Sequence, residues 1–320
     1  LVGATLLCFA LVRVLPGNPA YLIAGPYATE QDVQDVMEEM GLKEPLYVQY
    51  LIYMRDLLHG DLGRAWFTAQ PVTKDLRARF PATFELANFS FFLALVFGIP
   101  LGILSALKRD SWLDHFCRVF SVIGVSVPLF WSGLLFIFFF YAKLQIVPAP
   151  MGRIDTFLSS PETITGMYVL DSLMTGNWAV LSSSLSRLIL PMLTLGLSLL
   201  APILRMVRSS MLEVLQSRYV KTAIAYGIPQ REVIYHYALK NALLPVITTM
   251  AIFYGFALSG MVLIETIFSW PGLGLYAINA ILNSDYAAIQ GIVISITFLY
   301  IVLYILVDIL YAFIDPRISF

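Results

Sequence analysis

Charge is scarce in this sequence. Only 13% of the 320 residues are charged, while 59% are hydrophobic, against about 25% and 45–50% in soluble domains. The net charge of −1 gives no ground for a nucleic-acid partner, and none is expected. Cysteine is nearly absent. Cys8 and Cys117 fall in or beside apolar runs and suggest neither a disulfide framework nor a metal site. The histidines His59, His115 and His236 lie in separate polar segments, and no H-E-x-x-H occurs, so no metal is expected. A G-x-x-x-x-G-K-[ST] phosphate loop is also missing, so the chain should not bind ATP by that device. Ser182-Ser183-Ser184 has no histidine close in sequence and reads as an external flexible loop. No catalytic residues are expected, and the chain reads as a non-enzyme. Ionisable groups within the apolar runs are few. Glu85 and Glu265 lie near outer ends and Asp308 near an inner end, where interfacial solvation explains them more cheaply than function. No chain of buried acids suggests a proton pump, and the halves show no obvious repeat of a secondary transporter.

What the sequence has in abundance is long uncharged runs. Leu86–Leu107, Val119–Ala142, Leu188–Leu204, Asn241–Ile264 and Tyr286–Val307 carry no charge over 22, 24, 17, 24 and 22 residues. About 20 apolar residues cross a bilayer core as a helix, so these are five spans. Residues 1–15 read as the remainder of a first span whose cytosolic start is missing. A secretory signal peptide is the rival reading. The result is an all-α membrane protein of six transmembrane helices with both termini cytosolic.

Between the first two spans, residues 16–82 hold nine acids and six bases after the breaker Pro16-Gly17-Asn18-Pro19, and read as an external helical cap. Thr29 with Asp32 resembles a capping box, and Val33, Val36, Met37 and Met40 share one face of the helix that Gly41 closes. A second amphipathic helix, Leu46–Leu58, ends at Gly60-Asp61-Leu62-Gly63. Residues 83–320 form the transmembrane body. Pro128 should kink the third span, Pro191 and Pro202 lie in the fourth, and residues 143–187 read as irregular and external. Thr266–Ser284 reads as a loop dipping into the outer membrane surface with Trp270 at the interface. A seventh span is the alternative.

One polar stretch dominates the second half. Arg205–Pro245 carries six bases (Arg205, Arg208, Arg218, Lys221, Arg231, Lys240) against Glu213 and Glu232, a cytosolic signature. Met211 to Tyr226 reads as a helix, Gly227 as its left-handed cap, and Pro229 as the start of the next helix with Glu232 in its first turn. Such an elbow is either a docking lever or a solvated basic loop.

Motifs in order along nearly the whole chain decide between these. Gly60-Asp61-Leu62-Gly63, Arg79-Phe80-Pro81-Ala82-Thr83-Phe84-Glu85-Leu86, Tyr219-Val220-Lys221-Thr222-Ala223 with Gly227, His236 to Pro245, Glu265 to Gly274, Asp285-Tyr286, Gln290-Gly291 and Asp315-Pro316-Arg317 together resemble the membrane permease of ATP-binding-cassette importers, in the peptide/nickel branch. Lys221-Thr222 stands where the wider family has Glu-Ala, a variation shared by that branch. The resemblance implies a type I importer permease fold. It also implies a second homologous permease subunit, two separate ATPase subunits holding ATP-Mg, an extracytoplasmic substrate-binding protein, and a bacterial inner membrane; the chain itself binds no cofactor. It makes 209–241 the coupling loop, with Tyr219, Lys221, Thr222, Ala223, Gly227, Arg231, His236 and Asn241 contacting an ATPase. Glu265, Trp270, Pro271 and Gly272 are expected at the external gate, in contact with the binding protein. Ser126, Phe130 and Met261 are expected along the translocation path. Peptides are the expected cargo, with nickel, glutathione, oligosaccharides and opines as other cargoes of the branch. A stand-alone carrier or channel, or a membrane scaffold, is the alternative.

Overall fold

The computed structural model describes residues 2–14, 19–25, 27–39 and 41–314. Pro16-Gly17-Asn18, Met40 and Asp315-Pro316-Arg317 lie outside them, as does the side chain of Asp308. The chain is helical almost throughout and forms two compact units, Leu1–Phe80 with Gly272–Val302 and Pro81–Pro271 with Leu303–Phe320.

The first unit holds α1 (Val2–Val14), α2 (Pro19–Ala24), α3 (Glu30–Glu39), α4 (Leu46–Leu58), a two-residue hairpin of β1 (Arg64–Ala65) and β2 (Gln70–Pro71), the start of α5 (Val72–Leu107), α13 (Leu273–Leu282) and much of α14 (Tyr286–Ile314). α3 starts on the expected capping box. The Thr29 amide donates to the Asp32 carboxylate at 2.8 Å, and the Asp32 amide donates back to Thr29 Oγ1 at 3.3 Å. This backbone bond, then the hydroxyl bond from Thr29, lowers the Asp32 pKa. Val33 is buried.

One termination device closes α4 and α13. A left-handed residue follows the cap, its amide bonds back to the second-last helical carbonyl, and the next amide reaches one residue further. In α4 these are Gly60 to Leu57 and Asp61 to Asp56; in α13, Ser284 to Ile281 and Asp285 to Ala280. The device accounts for two of the quoted motifs. Asp61 then accepts the Gly63 amide at 2.8 Å. Asp285, fully inside, accepts the amides of Trp66 (2.7 Å), Phe67 (3.2 Å) and Ala288 (3.1 Å), holding the hairpin and capping α14. Gly291 faces Val72 and Leu62, and a Cβ there would collide with Val72. Tyr276 donates to Asp75 at 3.0 Å under the Arg79 guanidinium, and burial followed by this bond pushes its phenol up.

In the second unit, α9 (Trp178–Leu215) is the central rod; 67% of its most apolar window is buried, against 11% in α14. Around it pack α5, α6 (Trp112–Ser126), α7 (Leu129–Phe136, continued by a π-helical turn Ile137–Lys143), α8 (Tyr168–Thr175) and α12 (Lys240–Ile267). Close backbone approach sets this packing. A Cβ on Gly102 would stand 2.7 Å from Val207 Cβ, and one on Gly124 2.6 Å from Ala201 Cβ.

Several helices run further than the uncharged runs. α5 begins at Val72 and passes through Pro81 and Pro100, so the expected boundary at 82–83 falls inside one helix. Its first turns carry Lys74, Asp75, Arg77 and Arg79, which an uncharged-run rule skips. α9 likewise begins at Trp178, so Ser182-Ser183-Ser184 is helical rather than a flexible loop, and Ser184 is buried. The third apolar run is two helices: α6 and α7 meet at Val127-Pro128 with a bend of 104°. Among the described residues, α5, α9 and Tyr286–Leu306 are long and apolar enough to cross a membrane, and two bent pairs raise the count to five. α1, the expected first of six spans, has 13 residues here. α13 has ten, too short for the seventh span.

Candidate functional site

The elbow begins where α9 ends. A helix over Met211–Tyr226 is not observed. The chain breaks at Gln216-Ser217, Ser217 is extended, and α10 (Arg218–Ala225) restarts in a new direction. The break lets Val220 and Ala223 bury against Val233, with Val214, Leu215, Ile228 and Tyr237 around them. Gly227 (φ +75°) closes α10. Its amide donates to the Ile224 carbonyl at 2.9 Å, and the Ile228 amide donates to Ala223 at 3.2 Å. Pro229 caps α11 (Gln230–Glu232), which passes through a π-helical segment Val233–Leu239 into α12. Two short helices reversed around a glycine thus join α9 to α12 without a flexible linker.

Of the expected coupling residues, Tyr219, Lys221, Thr222, Gly227, Arg231, His236 and Asn241 are exposed. Ala223 is not. It is 5% exposed and belongs to the elbow's own core. Thr222 Oγ1 and Asn241 Nδ2 are bonded to the Arg218 and Tyr237 carbonyls of their own turns. Three large apolar side chains complete the surface and escaped the sequence reading: Ile224, Tyr226 and Tyr235, all more than half exposed. For Tyr226 a signal was available, since it follows Tyr219 and Thr222 at the i, i+3, i+7 spacing of a helical stripe, beside the one that holds Val220 and Ala223. Arg218, Lys221 and Arg231 are exposed on the same elbow, as are Glu213 and Glu232.

At the far end of α12, roughly 40 Å of helix away at 1.5 Å per residue, lies a buried polar cluster. Glu85 and Glu265 were expected to be solvated at an interface; both are inside, at 1% and 0% exposure. Glu85 accepts Arg153 Nη2 at 2.6 Å and the Val169 amide at 2.7 Å. Glu265 accepts Thr83 Oγ1 at 2.6 Å. Arg153 also donates to the Gly166 carbonyl and lies 3.7 Å from the Tyr168 ring centre. Interfacial solvation fails here because Arg153 and the Val169 amide, from the segment 149–171, come to Glu85 inside α5. Asp171 organises that cover, accepting the amides of Thr165 (2.8 Å), Gly166 (2.9 Å) and Ile164 (3.3 Å) and the Thr165 hydroxyl (2.6 Å). Burial raises its pKa, but the bonds from Thr165, Gly166 and Ile164 outweigh that and hold the carboxyl below its ordinary 3.8.

Trp270 is not at an interface either. It is 1% exposed, and its Nε1 donates to the Ala82 carbonyl at 2.9 Å. α12 ends in the same device as α4, with Ser269 at φ +49° and the Trp270 amide on the Glu265 carbonyl, which turns the indole inward. Gly272 is buried and Pro271 half-buried. Glu265, Trp270 and Gly272 thus lie inside rather than on an open docking surface: Glu265 and Trp270 tie the end of α12 to Thr83 and Ala82 within α5. Of the expected path residues, Ser126 and Phe130 are exposed on either side of the Pro128 bend, while Met261 is 1% exposed. The bend overlies a cavity of 190 Å³ lined by Trp131, Ser132, Thr194 and Ser198 among others.

Two family models match the chain consecutively: the binding-protein-dependent transport system inner membrane component over residues 98–320, and the N-terminal membrane component of such systems over residues 1–87. The chain belongs to this family of inner-membrane transport components. The permease is 45% identical over 317 residues to the probable D,D-dipeptide transport system permease protein DdpB of Escherichia coli K12, covering 99% of this chain and 93% of that one. It is 42% identical over 320 residues to the dipeptide transport system permease protein DppB of Alkalihalophilus pseudofirmus, covering 100% and 96%. Among solved structures, the inward-facing MetNI methionine ABC transporter matches with a TM-score of 0.54 at 14% identity, over 73% of this permease and 94% of that chain. That likeness shows the type I importer permease fold. The protein is a multi-pass inner-membrane permease subunit of an ATP-driven, binding-protein-dependent importer.

Proposed function

We propose that this permease imports peptides of dipeptide size as one half of a two-permease pathway. The observation that carries the cargo is full-length identity, 39–45%, to permeases named for dipeptide transport. The elbow of 209–241 is the contact for one of two separate ATPase subunits, which hold ATP-Mg. Its exposed Tyr219, Ile224 and Tyr226, with the exposed Arg218, Lys221 and Arg231 on the same elbow, favour an apolar cleft with an acidic rim. The elbow and both termini face the cytosol, consistent with its basic excess. A binding protein delivers cargo to the other face. There the Glu85–Arg153–Glu265–Trp270 cluster acts as the brace of the external gate, behind the surface that the binding protein touches.

Alternating access then requires α5, α9 and α12 to move as rods between two arrangements, driven by the elbow. The bend at Pro128 lies where Ser126 and Phe130 can face the path. Uptake of labelled dipeptide by a strain with and without this gene tests the cargo. Loss of uptake on deletion, restored by the gene, is the expected result. Unchanged dipeptide uptake with loss of nickel or oligosaccharide uptake would contradict it.

A further inference from the structure

A second buried ion pair stands apart from the gate cluster and from the elbow surface. Asp114, in the first turn of α6, is fully buried. It accepts Ser105 Oγ from the last turn of α5 at 2.5 Å and the Asp110 amide at 3.1 Å. From α9, Arg208 approaches with both Nε (2.6 Å) and Nη2 (2.8 Å). Arg118, one turn further along α6, stands 3.7 Å away. One carboxylate thus joins the same-side ends of three helices, and a bidentate guanidinium fixes the angle of α9 as well as its distance. Close backbone packing supports the joint, since Gly102 of α5 meets Val207 and the Leu204 carbonyl on the turn of α9 before Arg208.

α9 leaves this joint and ends at Leu215, about two turns later, where the elbow begins. A force on the elbow reaches the spans through that overhang. If the ends of α5 and α6 were free of α9, the force would bend α9 locally. With the three ends tied, it moves them together.

We propose that Asp114 and Arg208 are positioning residues for energy coupling: the pair makes the ends of α5, α6 and α9 one rigid base for the elbow. This rests on the reading that the elbow receives the ATPase.

The test uses the complete importer, with its partner permease, ATPases and binding protein, reconstituted in vesicles, and measures dipeptide taken up per ATP hydrolysed. In Asp114→Asn and Arg208→Gln, the ATPase subunits still co-purify and binding-protein-stimulated hydrolysis stays near wild type. Uptake per ATP falls roughly tenfold, the scale on which single network residues tune coupling. Arg208→Lys, which keeps the charge but not the fork, loses less. Hydrolysis and uptake falling in proportion, or an unchanged ratio, would overturn the proposal. If the Asp114 variant fails to assemble, Ser105→Ala removes one neutral donor only; a lowered ratio supports the pair and an unchanged ratio overturns it. Gly227→Val separates the two readings. If it uncouples while the Asp114 and Arg208 variants do not, only the positioning role falls. If Gly227→Val also stays coupled, the elbow reading falls too.

Discussion

Trp270 Nε1 donates to the carbonyl of Ala82 at 2.9 Å, across 188 residues of chain. The bond joins the end of α12 to α5 within the second unit, one turn from Glu85 and beside Arg153. Trp270→Ala should remove both the bond and a large buried side chain, costing about 3–5 kcal/mol. Trp270→Phe keeps most of the volume and should cost about 0.5–1.5 kcal/mol, the net loss of one hydrogen bond at a carbonyl that stays within α5. Thermal unfolding of the purified permease complex in detergent checks the order; equal, small effects would contradict the burial.

Glu85 and Arg153 are a buried pair whose single and double losses should not add. Glu85→Gln or Arg153→Met alone leaves one uncompensated buried charge, at a cost of about 3–5 kcal/mol. The combination Glu85→Gln with Arg153→Met should be less destabilising than the sum of the two by at least about 1 kcal/mol. A double-mutant cycle by denaturation reads this directly, and additive losses would mean the charges do not interact.

Asp171 holds residues 164–166 as a carboxylate, and its pKa lies below 3.8 in the folded protein. The sign follows: its contribution is complete above that ordinary value and is lost as pH falls through the lower folded value. Amide exchange at Thr165 and Gly166, compared with neighbouring protected amides, should stay slow down to about pH 4 and quicken only below it. Asp171→Ala should free these amides at every pH. Equal protection in the variant would remove the clamp.

Gly227 sits at φ +75° with open space where a Cβ would point, so strain rather than collision opposes a side chain. Gly227→Val places a β-branched residue in left-handed backbone at a cost of about 1–2 kcal/mol. The elbow should loosen, and hydrolysis by the assembled importer should continue with reduced uptake. Full coupling in that variant would show that the turn need not be stiff.

Much of this was legible in the residues because it is written in local signals. α4 spans Leu46–Leu58 as expected, Thr29 and Asp32 cap α3, and Gly227 ends α10 in the left-handed region. Pro128 marks the 104° bend between α6 and α7. The misses share a cause. Charge along the chain was taken as a sign of solvent, but α5 carries Lys74, Asp75, Arg77 and Arg79 inside a continuous helix. Glu85 and Glu265 are buried because Arg153, Val169 and Thr83, distant in sequence, come to them. Arg208 counted only toward a basic excess, while its partner Asp114 lies 94 residues away. Pairings at that range leave no periodicity to read.

The account rests on the elbow facing the compartment that holds ATP. Single cysteines at Lys221 and Arg231 report this directly; the native Cys8 and Cys117 are buried and should add little background. A membrane-impermeant thiol reagent added to intact spheroplasts should leave both positions unlabelled and should label them after permeabilisation. Labelling of either position in intact spheroplasts would place the elbow on the outer face and contradict the account.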